Sequence, residues 1–219
     1  RRLRAWQDEG LDLVRLSVNV SVVQFDEGDF PRTVEKALHD NGIDPSALTL
    51  EITESVFEQN AESLKRQLHE LHAMGIRLSM DDFGTGYSSL LYLQEYPFDE
   101  IKIDKGFVMK LQSQPFNARV VASVIGIAEA LGAEVVAEGV ESTDIADALL
   151  AMGCYVGQGF YYSMPLAPED FHWLLQARHP LPLGVHSGVR VQASDFQRRH
   201  PLLAGWPLLW KLYRRGGFR

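Results

Sequence analysis

The 219-residue sequence has a single cysteine, Cys154. No internal disulfide framework can form, and one thiol fits a reducing, cytosolic compartment. No apolar run reaches the roughly 18–20 residues that a membrane span needs, and no secretory leader opens the chain. It begins Arg1-Arg2-Leu3-Arg4 without an initiator methionine. That is the opening expected of a piece of something longer, so any membrane anchor of a parent protein would lie upstream. Basic charge is scarce in the body as well. Residues 184–219 carry seven Lys and Arg against Asp195 alone, a balance of +6, so the formal net charge of −8 leaves −14 on residues 1–183. A general nucleic-acid footprint needs clustered Lys and Arg and is therefore excluded. An acidic body that handles phosphate would need bound cations.

What the sequence does have is a repeating unit. Ala73-Met74-Gly75 leads into Ile76–Met80, Ala130-Leu131-Gly132 into Ala133–Ala137, and Ala151-Met152-Gly153 into Cys154-Tyr155-Val156. Helically spaced apolar residues precede each glycine: Leu64, Leu68 and Leu71; Val120, Val124, Ile127 and Leu131; Ile145, Leu149 and Met152. The glycine stops the helix and a strand follows. Six strands are predicted, at Val14–Val20, Leu48–Thr53, Ile76–Met80, Glu100–Ile103, Ala133–Ala137 and Tyr155–Phe160. Helices fall between them at Pro31–His39, Glu62–Ala73, Ser88–Gln94, Phe116–Leu131 and Thr143–Met152, with a helix tail at Leu3–Gln7 before the first strand. Repeated helix and strand of this kind reads as a parallel α/β fold.

Alternation within the strands decides which one. Leu48, Leu50 and Ile52 alternate with Thr49, Glu51 and Thr53, and Ile101 and Ile103 alternate with Lys102 and Asp104. A doubly wound sheet is covered by helices on both faces and should read apolar on both. One apolar face and one interior that grows polar toward the strand ends fits a (β/α)₈ TIM-type barrel, with its chemistry at the C-terminal mouth. Six of the eight units are present, and the barrel is expected to be incomplete.

The predicted mouth carries Asn19, Glu51, Asp81-Asp82, Lys102 with Asp104, Glu138 and Gln158. The set contains neither His nor Cys, and oxygen donors suit hard divalent cations rather than zinc. Strict alternation forbids adjacent Asp81 and Asp82 from both facing the axis, although together they would reach two ions a few ångströms apart, as in phosphoester cleavage. Lys102 would steady a phosphate or an attacking water, and Glu138 would serve as general base.

These residues stand in recognisable runs: Asn19-Val20-Ser21, Glu51-Ile52-Thr53-Glu54, Asp81-Asp82-Phe83-Gly84-Thr85-Gly86-Tyr87-Ser88-Ser89-Leu90, Ile101-Lys102-Ile103-Asp104, Ala137-Glu138-Gly139-Val140-Glu141 and Gly157-Gln158-Gly159-Phe160. In that order they resemble the EAL domain family of bacterial cyclic di-GMP phosphodiesterases. The resemblance implies a (β/α)₈ barrel, two Mg²⁺ or Mn²⁺ ions, and hydrolysis of cyclic di-GMP to linear pGpG. By position it implies Asn19, Glu51, Asp81, Asp82 and Glu138 as metal ligands. Glu138 would also be the general base, Lys102 would orient water or phosphate, Gln158 would complete the substrate pocket, and Glu54 would anchor the Asp82–Leu90 loop. It further implies a homodimer through that loop and upstream sensory or GGDEF domains. A cyclic di-GMP sensor without catalysis is the alternative.

One departure stands out. The family is named for a Glu-Ala-Leu on its second strand, which would precede Arg1. Glu129-Ala130-Leu131 spells the same letters at a helix end and is expected to carry no function. The chain alone is therefore expected to turn over weakly or not at all, and its unpaired strand edges to favour association. Residues 1–179 are expected to form the partial barrel and 180–219 a basic tail outside the resemblance. Trp206 and Trp210 sit in that tail among prolines, and no membrane contact is expected of it. His69 and His72, three apart on a helix, read as a solvated face without a third ligand.

Overall fold

Every predicted helix-to-strand unit forms in the computed structural model, which describes residues 1–11, 15–26, 29–58, 61–84 and 89–177. The strands are β1 (Leu16–Val20), β2 (Leu48–Thr53), β3 (Arg77–Phe83), β4 (Glu100–Ile103), β5 (Glu134–Glu138) and β6 (Val156–Gln158). All neighbours are parallel, and the hydrogen-bonded order is the chain order. A doubly wound sheet would reverse its order at a switch point. Unbroken order belongs to a barrel, and six parallel strands with β1 and β6 as edges make a curled part of a TIM-type barrel.

The helices are α1 (Arg2–Asp8), α2 (Val22–Asp26), α3 (Phe30–Asn41), α4 (Ala61–Ala73), α5 (Ser89–Glu95), α6 (Lys105–Val108), α7 (Pro115–Leu131), α8 (Thr143–Ala151) and α9 (Pro168–Ala177). Asp29 caps α3 by accepting from Arg32 N–H at 3.2 Å, and Pro31 occupies the second helical position, where no main-chain donor is needed. Gly75, Gly132 and Gly153, the three repeat glycines, all take positive φ. The short α2 and α6 and the 3₁₀ turns Pro45–Ala47 and Glu54–Glu58 escape sequence reading, because one turn of helix leaves no periodic pattern.

Burial follows the strand alternation. Leu50, Ile52, Leu78, Met80, Ile101 and Ile103 face outward and pack on Leu64, Leu68 and Leu71 of α4 and on α7. In α7 the buried stripe is Val121, Val124 and Ala128; of the predicted Val120, Val124, Ile127 and Leu131 only Val124 is fully buried, while Val120 and Ile127 are half-buried and Leu131 is exposed. This helix is apolar on most sides, so the pattern fixes its burial less tightly than its existence. The opposite sheet face carries the buried polar residues Thr49, Glu51, Ser79, Asp81, Glu100 and Lys102. Each Leu or Ile buried outside contributes roughly 1.5–3 kcal/mol, which lets the interior hold charge.

A second cluster joins the two ends of the described chain. Leu3 and Trp6 of α1 pack with Ala47 and with Phe171 and Leu174 of α9. The ring centroids of Trp6 and Phe171 are 5.5 Å apart. Around them Arg2 pairs with Glu169 at 3.0 Å and His172 meets Glu9 at 2.6 Å. The expected basic tail from residue 180 lies outside the described residues.

Candidate metal and substrate site

Successive strands deliver one polar residue each to the same interior. Glu51 comes from β2, Asp81 from β3, Lys102 from β4 and Glu138 from β5. Lys102 is 1% exposed and its Nζ lies 3.0 Å from Glu51 Oε2, 2.7 Å from Asp81 Oδ1 and 2.5 Å from Glu138 Oε1. Taking an ammonium out of water costs several kcal/mol unless partners replace the water. Burial alone would lower its pKa, but the charges of Glu138, Glu51 and Asp81 outweigh burial and raise it above the ordinary lysine value. Lys102 is therefore a fixed cation.

Glu138 moves the other way from an ordinary ion-paired acid. Burial pushes its carboxyl up, Lys102 pulls it down less strongly, and Asp81 and Glu51 add to the rise. Both partners of the pair bind protons more tightly than usual because one cation faces several carboxylates. Asp82 is also raised, first by burial and then by the charges of Asp81 and Asp104.

The placement of Asp82 corrects the alternation argument. β3 and β4 pair Met80 with Ile101 and then Phe83 with Ile103, so β3 holds one extra residue between them. Such a bulge re-aims side chains near a site. Asp82 takes φ +54°, a left-handed backbone that Asp tolerates better than most residues. Its N–H donates to Asp81 Oδ1 at 3.0 Å. As a result one carboxylate oxygen each from Asp81, Asp82 and Glu138 lies within 4.8 Å of the others. Both carboxylates reach one cluster, which a regular strand would forbid.

The remaining sequence-predicted residues surround this cluster. Asn19 on β1 pairs in register with Glu51 and is exposed at the sheet edge. Gln158 on β6 pairs in register with Glu138, so it shares that face, and its Oε1 is buried without a hydrogen-bond partner. Glu54 Oε1 accepts from Gly84 N–H at 3.3 Å, directly before residues 85–88, which lie outside the described residues. Asp104 stands apart as a helix cap for α6, accepting from Gly106 N–H at 2.8 Å. Sequence reading passed over the layer beneath, where Ser79 donates to buried Glu100 at 2.7 Å. The period-two run Glu100, Lys102, Asp104 carried that signal. His69 is exposed, and His72 meets Asp99 at 3.5 Å, away from the site. Glu129-Ala130-Leu131 lies in the last turn of α7, with Glu129 exposed, as the sequence predicts.

The donor set fits hard divalent cations: clustered carboxylate oxygens, an adjoining amide, and no sulfur or imidazole. Fold and site together define a TIM-type barrel protein with an acidic, oxygen-rich mouth. The chain belongs to the EAL domain family, whose sequence profile matches residues 1–165. It is 39% identical over 170 residues to the bifunctional diguanylate cyclase/cyclic di-GMP phosphodiesterase MucR of Pseudomonas aeruginosa, covering 78% of this chain and 25% of MucR. It is 37% identical over 171 residues to the signaling protein YkoW of Bacillus subtilis, covering 78% and 21%. The chain thus spans a quarter or less of these relatives' length.

Solved structures agree. The EAL domain of Mycobacterium smegmatis DcpA superposes with a TM-score of 0.77 at 39% identity, covering 80% of this chain and 79% of that one. The MucR phosphodiesterase in complex with cyclic di-GMP gives 0.74 at 38%, covering 78% and 69%. Klebsiella pneumoniae BlrP1 in complex with manganese and cyclic di-GMP gives 0.70 at 29%, covering 76% and 43%.

Proposed function

We propose that this chain carries the cation- and substrate-binding face of a cyclic di-GMP phosphodiesterase, which opens one phosphodiester to give linear pGpG. The observation that carries the reading is the convergence of Glu51, Asp81, Lys102 and Glu138 from four consecutive strands, with Asp82 brought in by the bulge. Complexes of MucR and BlrP1 with cyclic di-GMP support the substrate.

In this reading Asn19, Glu51, Asp81, Asp82 and Glu138 hold two Mg²⁺ or Mn²⁺ ions. When bound, such ions polarise phosphate oxygens and lower the pKa of a coordinated water. The chain's own residues do the rest. Glu138, with its raised pKa, takes the proton of the attacking water at a carboxylate oxygen. Lys102 stays charged through the reaction, orients water or phosphate, and keeps the carboxylates from repelling one another. Gln158 offers a buried acceptor to the substrate. Glu54 anchors the Asp82–Leu90 loop, through which two copies would pair. The barrel domain is proposed to run over residues 1–179, in a cytoplasmic setting, with sensory or GGDEF domains in the parent protein.

Calorimetry with cyclic di-GMP in Mn²⁺, followed by chromatography of the products, tests this. Among the described residues no strand joins β1 to β6, so weak or no turnover is expected from the chain alone. Cation-dependent binding, with pGpG formation abolished in Glu138→Gln, supports the assignment. Retained turnover in that variant removes Glu138 as the base. Binding with no pGpG from any protein containing the chain moves it to a sensor, and absence of binding overturns the reading.

A further inference from the structure

Two glycines lie directly behind the reactive side chains. Gly139 follows Glu138 and Gly159 follows Gln158. A Cβ placed on Gly159 would stand 2.1 Å from Val140 O, 2.4 Å from its N and 2.7 Å from its C. These are main-chain atoms of the neighbouring strand end, and they cannot swing aside. Gly139 has φ +69°, and a Cβ there would stand 2.7 Å from Lys105 Cβ and 3.3 Å from Lys105 Cα. Lys105 opens α6, three residues past Lys102.

Hydrogen bonds hold the same corner. Val140 N–H donates to Gln158 O at 3.1 Å, and Tyr161 N–H donates to Val140 O at 3.0 Å. The β5 and β6 ends therefore meet main chain to main chain, while Gly139 lies against Lys105 at the start of α6, just past the end of β4. At this corner Glu138 Oε1 stands 2.5 Å from Lys102 Nζ. Gln158 stands beside Glu138, in register.

We propose that Gly139 and Gly159 are positioning residues of the site: Gly139 holds Glu138 against Lys102 because it lets the end of β5 abut the start of α6, and Gly159 holds Gln158 beside Glu138 because it lets the ends of β5 and β6 abut. Neither glycine touches the reacting atoms. The functional consequence rests on the reading of the site as a cation and nucleotide site, whereas the geometric part stands without it.

The test compares Gly139→Ala, Gly159→Ala, the double variant Gly139→Ala with Lys105→Gly, and Gly126→Ala. Gly126 is a control in α7 with nothing within 4 Å of its built Cβ. The side-chain ¹⁵N signals of Lys102 and Gln158 report the geometry in the absence of any ligand. Gly139→Ala is expected to move the Lys102 signal, and Lys105→Gly to bring it only part of the way back, because that change removes the colliding Cβ but leaves an alanine strained at φ +69°. Gly159→Ala is expected to move the Gln158 signal and leave that of Lys102 in place. Gly126→Ala should move neither.

With Mn²⁺ as the probe, Gly139→Ala is expected to lose affinity by about 10–100-fold, the range seen when residues that orient metal ligands are changed. Gly159→Ala should weaken cyclic di-GMP binding while changing Mn²⁺ affinity by less than about twofold, well below that range. A merely structural role would lower both affinities together in both variants. Unmoved signals in Gly139→Ala and Gly159→Ala overturn the proposal. If Gly159→Ala does not fold, Gly139→Ala decides alone. If the unaltered chain binds no Mn²⁺, the functional reading fails while the ¹⁵N signals still decide the positioning.

Discussion

Lys102 Nζ stands 2.5 Å from Glu138 Oε1, and both side chains are withdrawn from solvent. The contact ties the chemistry of the mouth to the stability of the barrel. Lys102 also holds Glu51 and Asp81, so replacing it would leave three carboxylates facing one another in the interior. Lys102→Met is expected to cost about 3–5 kcal/mol at pH 7, the range for breaking a buried ion pair from one side. The pKa of Lys102 is raised in the folded chain, so its contribution is complete below the ordinary value of 10.5 and is lost only as pH climbs through the raised value. Urea unfolding at pH 7 checks the magnitude, and a loss under 1 kcal/mol would show that the cluster does not depend on its cation.

Asp82 loses stability in the same direction, with rising pH, but in a far lower pH window. Its carboxyl is raised from 3.8 by burial and by its acidic neighbours, so the folded chain binds that proton more tightly than the unfolded chain does. Ionising it therefore removes stability progressively as pH rises above 3.8. Asparagine cannot ionise and also accepts the left-handed backbone at φ +54°. In EDTA, Asp82→Asn is expected to raise the urea midpoint at pH 7.5, with the gain shrinking toward pH 4. An equal gain at both pH values would mean that the charge at Asp82 is not what costs stability.

Much of this was readable in the residues, for physical reasons that also mark the limit. β2 and β4 were predicted with their observed ends, because Leu48–Thr53 and Glu100–Ile103 alternate cleanly and turn signals bound them. β3 was predicted to stop at Met80, yet it runs on through Phe83. Period-two reasoning assumes a regular strand, and the extra residue of the bulge breaks that assumption where both aspartates enter. β6 was predicted to reach Phe160 but ends at Gln158. Beyond that residue Tyr161 N–H bonds to Val140 O, a tertiary contact that no local pattern encodes. Glu51, Lys102 and Glu138 were found as strand-end residues. That Lys102 would sit among all three acids, and not simply face phosphate, required the neighbouring strands to be in place.

The two ends of the described chain depend on each other. Trp6 is 3% exposed, with its ring against Phe171 and within 6.1 Å of His172. Trp6→Ala should cost about 3–5 kcal/mol, as for other buried aromatic truncations. It should also release α9 from α1, so that hydrogen exchange rises at Phe171 and Leu174 first. Loss of stability with α9 still protected would place the anchor of α9 elsewhere.

Cys154 should be silent in the native state. Burial pushes its thiol up from 9.0 to about 11, and Sγ lies 3.4 Å from Val156 O. At pH 8 only about a thousandth of it is thiolate, the form that reacts. Iodoacetamide is expected to leave the folded chain unmodified over hours and to label it promptly in urea. Ready labelling of the folded chain would mean that the start of β6 opens to solvent.

Divalent cations should tie these effects together. Carboxylates crowded at Asp81, Asp82 and Glu138 raise the free energy of the cation-free fold, and a ligand that binds only the folded state stabilises it by mass action. At one hundred times its Kd, Mn²⁺ is expected to add about 2.7 kcal/mol. For a chain of this length that is a rise in Tm of roughly 5–10 °C. Asp82→Asn makes the cleanest control, because it removes a carboxylate from the cluster without touching the three that pair with Lys102. In that variant the Mn²⁺-dependent rise should shrink by at least half even though the EDTA form is more stable. A full rise in Asp82→Asn would mean that the Asp82 carboxylate does not hold the cation, and its assignment as a ligand would fall.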